Sequence, residues 1–487
     1  MKANDKTNRL TPKRPLTAPA IRPLRRLALA STLLAGLFGM TQHAYADSLS
    51  EFGPCPEDKL PERIAGKAQC AMLVVPEDRA KPDGRKLSLP VLKIPAADKN
   101  PGVPVFVLNG GPGESNFGAI RPTAALEEKH DVFYVGYRGA DGSVVLTCPE
   151  VNEHIDVPEL MSDENLAKFA DAFKACADRH QNAGIDLSRY TIFDVIEDIE
   201  TVRSSLKYDK INLMSISYGT RVAQYYARRH PDSIFRSIMI GVNPPGHFVF
   251  SAETNDMVLD RLSELCAAQE KCAAKTNNLK KTILYAINGR TNGHAKDIDD
   301  SVSRMALFHT LYNREMTRFF IEAAIAAENG DWTPLAEGGK RALGGMKMMI
   351  WGDLMAKGGL DSYRYAGMAS TFPTTNESMG SPADAFYQVV SKKWPVTFAP
   401  AEYNHAVTDM TQTLLVNGDI DVATPIKFAK TELLPYLPNG QLLALKDYGH
   451  QDVRLQADAL AQIYLAYYET GKLDASPLKE DPYIIFE

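Results

Sequence analysis

Four short segments carry residue types that together could make and break an acyl bond. The first is Asn212-Leu213-Met214-Ser215-Ile216-Ser217-Tyr218-Gly219-Thr220. Ser217 stands between an apolar run, 211–214, and a helical pattern, 219–230. A nucleophile on a sharp strand-to-helix turn needs small residues two before and two after it, because larger side chains would collide; Ser215 and Gly219 meet that need. At a helix N-terminus the hydroxyl also gains from the dipole and from exposed N–H groups. Alone, the string could be a chance match. The second segment is Leu108-Asn109-Gly110-Gly111-Pro112-Gly113, directly after an apolar run. Consecutive glycines let the backbone approach a substrate carbonyl and aim an N–H at its oxygen. Gly111, with Gly110 as its alternative, and the N–H of Tyr218 are the candidate oxyanion donors. A plain glycine turn is the competing reading; a phosphate cradle is excluded because no Gly-Lys-Ser/Thr follows. The third segment, Asn417 to Pro425, holds Asp419 and Asp421, and the fourth is Tyr448-Gly449-His450. A serine nucleophile needs a base beside it and a carboxylate on the base's other nitrogen. His450 is the candidate base, and either aspartate is in range in the chain to serve as the acid. Among the other histidines, His43 lies in the leader and His230 closes a helix. His130, His154, His180, His247, His294, His309 and His405 lack the post-strand glycine context and read as structural or solvated.

These segments need a scaffold that brings them to one edge. Residues 71–76 and 86–95 read as strands of a hairpin, and 103–108 and 131–135 as short buried strands. In 194–206, Val195, Ile196, Ile199, Val202 and Leu206 recur at helical spacing behind acidic residues. Further strands are expected at 234–240, 413–416 and 441–445, and helices near 425–434 and 456–470. Alternating strand and helix implies an α/β fold with a mostly parallel sheet flanked by helices. Each chemistry-bearing segment follows a strand, which puts all four on the edge where such sheets keep their sites. The alternation stops after Pro245, and residues 246–405 are mostly helical patterns rich in Ala, Met and Leu. The expected organisation is a leader (1–46), a core in two parts (47–245 and 406–487) and an inserted helical cap (246–405). Met346, Met348, Met349 and Met355 read as packing, or as the lining of an apolar substrate pocket, rather than as a metal site.

The 487 residues include 54 Lys+Arg and 60 Asp+Glu, a net charge of −6. Residues 1–46 hold eight basic residues and one acid (+7), so the total of −6 leaves −13 on the other 441. An acidic body argues against binding nucleic acid. The leader joins a basic stretch, the apolar run Leu27–Met40 and Ala44-Tyr45-Ala46, the three parts of an export signal with cleavage expected after Ala46. As a membrane anchor that run would span only about 21 Å of a hydrocarbon core of roughly 30 Å. The residues around Arg25-Arg26 fit a twin-arginine signal poorly, so general export to the periplasm or medium is expected. All six cysteines lie beyond the leader, which in an exported chain reads as disulfides. Neighbours in sequence suggest Cys55–Cys70, Cys148–Cys176 and Cys266–Cys272. Zinc is disfavoured because no CxxC or Cys/His spacing is present, and no metal or cofactor motif is visible.

With these residues in view, the chain resembles the prolyl iminopeptidase-type α/β-hydrolases, and within them the secreted tripeptidyl aminopeptidases with a TAP-like C-terminal region. The likeness runs from about Cys70 to about Ile463 with a weak middle. The family's His-Gly-Gly-Pro-Gly loop corresponds to Asn109–Gly113, and its Asp-Gln-Arg-Gly-x-Gly-x-Ser segment to Gly136-Tyr137-Arg138-Gly139-Ala140-Asp141-Gly142-Ser143. Its Gly-x-Ser-Tyr-Gly-Thr elbow corresponds to Ser215–Thr220, and a Cys-rich cap start to Leu265–Ala274. Its Gly-x-x-Asp-x-x-Thr-Pro segment is Gly418–Pro425, which points to Asp421 over Asp419. Asn109 for His, Gly136-Tyr137 for Asp-Gln and Ser215 for Gly depart from the pattern. The resemblance implies a serine aminopeptidase acting on peptides through Ser217, His450 and Asp421, without a cofactor. A carboxylesterase or other acyl hydrolase is the alternative. In this family the cap binds the free N-terminus of the substrate. Glu315, Glu322 and Glu328 are the candidate carboxylates, against the blander reading of a charged helix face.

Overall fold

A computed structural model describes residues 47–56, 60–118, 124–246, 252–362, 376–383, 391–395 and 398–486. The expected leader, its cleavage site and His247 lie outside the described residues. Strands β1 (Ser48–Leu49), β2 (Gly53–Pro54), β3 (Gln69–Pro76), β4 (Lys86–Ile94), β5 (Gly102–Leu108), β6 (His130–Val135), β7 (Ile211–Ile216), β8 (Ile234–Ile240), β9 (Gln412–Gly418) and β10 (Gly440–Leu445) form one sheet. Its order is β1-β3-β4-β6-β5-β7-β8-β9-β10, with β2 paired to β3. The β3–β4 hairpin and the β4–β6 pair are antiparallel; from β6 to β10 every pair is parallel. Strands β6 and β7 are buried at every position, as parallel strands covered on both faces must be.

Side chains alternate between two cores, one on each face. Phe106, Leu108, Phe133 and Val135 enter one; Val105, Val107, Val132 and Tyr134 enter the other. Helices Asp163–Asn182, Ile192–Ser205 and Tyr218–Arg229 cover the first core, and Ala457–Thr470 covers the second. Thr191 and Asp194 cap the helix Ile192–Ser205 reciprocally. The helix expected near 425–434 is present as a continuous but irregular segment: α-helical over Ile426–Phe428, wider over Ala429–Leu433 and tightened to a 3-10 turn over Leu434–Tyr436. Pro435 cannot continue a regular helix there.

Between β8 and β9 the described residues form helices and no strand of the sheet: Ala252–Ala267, Glu270–Ala273, Leu279–Ile287, Asp300–Thr310, Arg314–Glu328, Thr333–Met346 and Trp351–Ser362. Asn278, Asp299 and Asn313 accept backbone N–H groups at three of their N-termini. Disulfides join Cys55 to Cys70, Cys148 to Cys176 and Cys266 to Cys272. A buried ion pair ties the first core together: Arg138 Nε and Nη2 each donate to a carboxylate oxygen of Asp198 at 2.7 Å.

Register sets the site. Leu108 pairs with Ser215, Ile240 with Val416 and Leu445 with Gly418, so the carboxyl ends of β5, β7, β8, β9 and β10 finish at one level. The glycine loop, the serine turn, the aspartate loop and the histidine loop all leave the sheet there.

Candidate active site

Ser217 sits between β7 and the helix Tyr218–Arg229 with φ 54° and ψ −127°. A non-glycine residue at such angles is strained and is held by its surroundings. Its N–H donates to Ile240 O at 2.8 Å, and its carbonyl accepts the Thr220 hydroxyl at 2.6 Å. The Thr220 hydroxyl oxygen in turn accepts the Asn243 N–H. A Cβ at Gly219 would lie 2.1 Å from Leu108 O, so only glycine lets the helix start against β5. Ser215 fits where the family pattern has glycine, because its buried hydroxyl donates to Ile238 O at 3.1 Å.

Asp421 is buried and accepts four hydrogen bonds. Oδ1 takes the N–H groups of Ala423 and Thr424, both at 2.8 Å. Oδ2 takes the Thr424 hydroxyl at 2.6 Å and lies 2.7 Å from His450 Nδ1. Burial pushes this carboxyl up, yet His450 and the converging donors outweigh it and hold it below the usual carboxylate range. Asp419 is engaged elsewhere. Its Oδ1 accepts the Asp447 N–H at 2.6 Å, fixing the β10 turn against the β9 loop. The His450 loop is fastened from two sides. Asp452 accepts the N–H of Gly449 at 2.8 Å and that of Arg314 at 3.0 Å, while Gln451 N–H donates to Tyr312 O. The Tyr312 ring meets His450 edge-on, with centroids 5.2 Å apart.

The glycine loop is equally well held. Asn109, in place of the family's histidine, is buried and bonds to the loop's own chain. Its N–H donates to Asn116 Oδ1 at 2.8 Å and its Nδ2 to Asn116 O at 2.6 Å. Asn116 Nδ2 reaches the carbonyls of Val107 and Val135. Asp141 accepts the N–H groups of Asn116 and Tyr137, and the Tyr137 hydroxyl donates to Asn109 O. The departures at Asn109 and Tyr137 therefore brace the loop from behind. Burial raises the Asp141 carboxyl above the usual range.

Ser217, His450, Gly110, Gly111, Asn243 and Thr424 line one cavity of about 550 Å³. Tyr218 begins the adjoining helix, where the first N–H groups have no intrahelical partner; its side chain is buried in the core. The larger part of the remaining wall comes from the helical segment and is mainly apolar, with Met305, Phe308, Phe319, Phe320, Leu335 and Met346 among its residues. Met349 also lines it, whereas Met355 is core and Met348 is 82% exposed.

The candidate carboxylates of this segment require correction. Glu315, Glu322 and Glu328 do not line the cavity. Glu315 is exposed and pairs with Arg454 at 3.4 Å, Glu322 is exposed, and Glu328 accepts the Thr282 hydroxyl. The buried face of Arg314–Glu328 is its Phe320, Ala323, Ala324 and Ala327 stripe, which turns the glutamates outward. Among the described residues the charged side chains of the lining are instead Glu114 and Arg341, and His309 also faces the cavity. The Gly-Pro-Gly-Glu string, Gly111 to Glu114, was the available signal for Glu114. Helical periodicity gave none for Arg341 or His309. Among the described residues, one grouping has metal-ligand proximity: Cys148, Cys176 and His180. Its sulfurs form a disulfide, so it offers no thiolate.

Residues 103–264 match the family described as the alpha/beta hydrolase fold, and residues 383–480 match the TAP-like protein family. The chain is an α/β-hydrolase with a TAP-like C-terminal region. It is 28% identical over 221 residues to the serine protease Hip1 of Mycobacterium tuberculosis, covering 42% of this chain and 41% of that protein. It is 26% identical over 199 residues to the tripeptidyl aminopeptidase of Streptomyces lividans, covering 36% of each. The putative hydrolase YuaR of Escherichia coli is 26% identical over 197 residues, covering 38% of each. The chain thus spans about two-fifths of the length of the curated relatives it matches. This α/β-hydrolase is accordingly related to serine peptidases, and none of its described helices is long and apolar enough to cross a membrane.

Proposed function

We propose that the chain is an exported serine peptidase that removes short units from peptide N-termini, with 1–46 as its export signal and 246–405 as a helical cap. The observation that carries this reading is His450, held 2.7 Å from the buried Asp421 and lining one cavity with Ser217 and the two loop glycines. In this reading His450 takes the proton of Ser217 as the hydroxyl attacks the scissile carbonyl. Asp421 holds the imidazole tautomer and stabilises its charged form. N–H groups of Gly111 or Gly110 and of Tyr218 receive the oxyanion, each worth about 3–4 kcal/mol where such donors have been removed. His450 then protonates the leaving amine, and water resolves the acyl-enzyme by the reverse sequence. The Hip1 and tripeptidyl aminopeptidase relatives favour a peptide bond as the target.

A second reading, a carboxylester hydrolase, is favoured by the lining. The part of the wall that the helical segment supplies is mostly Met, Phe, Leu and Ala, and Glu114 is the one carboxylate among the described lining residues. An acyl chain would suit that surface without a charged anchor.

The test is hydrolysis by the mature chain from Asp47 of free-N-terminus Pro, dipeptidyl and tripeptidyl fluorogenic amides, their N-blocked forms and short p-nitrophenyl esters. Amide cleavage that vanishes on N-blocking supports the aminopeptidase. Ester cleavage without amide cleavage supports the second reading. Turnover by Ser217→Ala near the wild-type rate refutes both.

A further inference from the structure

The helical segment does more than cover the cavity; it holds the glycine loop by both backbone groups of one residue. Ile350 N–H donates to Gly113 O at 2.9 Å, and Gly113 N–H donates to Asp353 Oδ2 at 3.0 Å. The fit is close: a Cβ at Gly113 would lie 2.9 Å from Leu354 Cβ. Asp353 is fully buried, and its other oxygen is paired with Lys357, one helical turn on and also buried. The Lys357 ammonium continues to Arg138 O at 2.8 Å and lies 5.5 Å from the centre of the Tyr137 ring. Tyr137 in turn bonds the Asn109 carbonyl at the root of the same loop. Gly352 N–H adds a bond to Leu146 O. Two buried charges at such a junction are costly, and apolar residues of similar volume would pack there at lower cost. What an apolar pair could not supply is an acceptor for the Gly113 N–H.

We propose that Asp353 is a positioning residue of the oxyanion hole: it sets the 110–113 backbone from the helical segment, so the loop takes its working conformation only while the helix Trp351–Ser362 is seated on the core. This rests on Ser217 being the nucleophile. The chemistry is unchanged by it; Asp353 touches no substrate and moves no proton. Its effect is to keep a loop N–H aimed at the point where negative charge develops, which acts on the transition state and not on the ground state.

The experiment follows labelling of Ser217 by a fluorophosphonate, steady-state hydrolysis of p-nitrophenyl acetate and inhibition by a short alkyl boronic acid, a tetrahedral mimic. In Asp353→Asn the amide oxygen turns to the Lys357 ammonium and leaves an NH₂ facing the Gly113 N–H. The double variant Asp353→Leu/Lys357→Met removes both buried charges and protects the fold where the single variant is unstable. In the folded proteins we expect labelling and kcat to fall about 10–100-fold, boronate affinity to fall in parallel, and KM to stay within about twofold. Asp353→Glu with Lys357 kept should recover part of the rate. A folded double variant that labels and turns over within about twofold of wild type overturns the proposal. So does a loss of rate that only tracks the unfolded fraction. Wild type that fails to label at Ser217 ends the nucleophile reading itself, an outcome distinct from either.

Discussion

Replacing Asp421 by asparagine gives a sharp test of the acid, because the geometry dictates which way the new amide must face. Oδ1 of Asp421 accepts two backbone N–H groups, from Ala423 and Thr424, each at 2.8 Å. Neither donor can be reversed, so the oxygen of the new amide must occupy that side. Its NH₂ then replaces Oδ2, facing the Thr424 hydroxyl and His450 Nδ1. The hydroxyl can turn and accept. The imidazole can accept only by carrying its proton on Nε2, and in that tautomer it cannot take a proton from Ser217. The loss is therefore of the base and not merely of a charge, and similar tautomer traps cost about 10⁴ in kcat, or roughly 5 kcal/mol of barrier. We expect Asp421→Asn to lower fluorophosphonate labelling and ester turnover by about 10³–10⁴-fold with KM little changed. Asp419→Asn, which disturbs only the Asp447 turn, should stay within about threefold, in keeping with the small effect of a neutral turn contact. A folded Asp421→Asn protein within about tenfold of wild type would refute the argument, and a large loss in Asp419→Asn would move the acid to that residue.

Three further outcomes follow from the same geometry. Asp421 has a folded pKa below its unfolded value, so its contribution to stability is complete above the unfolded pKa of about 3.9 and fades as pH falls toward the folded one; thermal melts of wild type and Asp421→Asn should converge as pH drops from about 5 toward about 3, and a gap that widens would contradict the sign. Asp198→Ala leaves the fully buried Arg138 without its bidentate partner, and chemical denaturation should register a loss of about 3–5 kcal/mol. Ala342→Trp introduces bulk into the apolar wall and should slow p-nitrophenyl decanoate far more than the acetate; equal slowing of both would mean the cavity does not receive the acyl side.

The parts of the site that were legible in the sequence are those dictated by local sterics and register. Gly219 must be glycine because Leu108 O passes so close, and that requirement leaves a mark in a nine-residue string. The strand–loop order did the rest: once the segments after β5, β7, β9 and β10 are placed on parallel strands, their meeting at one edge needs no further information. Between Asp419 and Asp421 the residues alone could not choose, since both sit in the same turn; what separates them is where each side chain finds donors, Asp447 N–H for one and Ala423, Thr424 and His450 for the other.

The helical segment resisted reading for a different reason. Its helices are amphipathic, but periodicity states only that one face is buried, not whether that face meets a core or a cavity. Glu315 and Glu322 share a helix with Phe320, which lines the cavity, yet they lie on its outer side. Asp353 and Lys357 show the converse. Spaced i,i+4, they have the pattern of an exposed ion pair, the ordinary home of such pairs. They are buried because Gly113, 240 residues earlier in the chain, offers an N–H that needs an acceptor. Nothing within the helix encodes that demand; it arises only when the loop and the helix are brought together. The same logic explains why His309, read as structural or solvated for want of a post-strand glycine, faces the cavity beside the sheet-edge loops. A residue on a sheet edge can be placed by the order of strands, whereas a residue on an inserted helix is placed by packing between elements far apart in sequence.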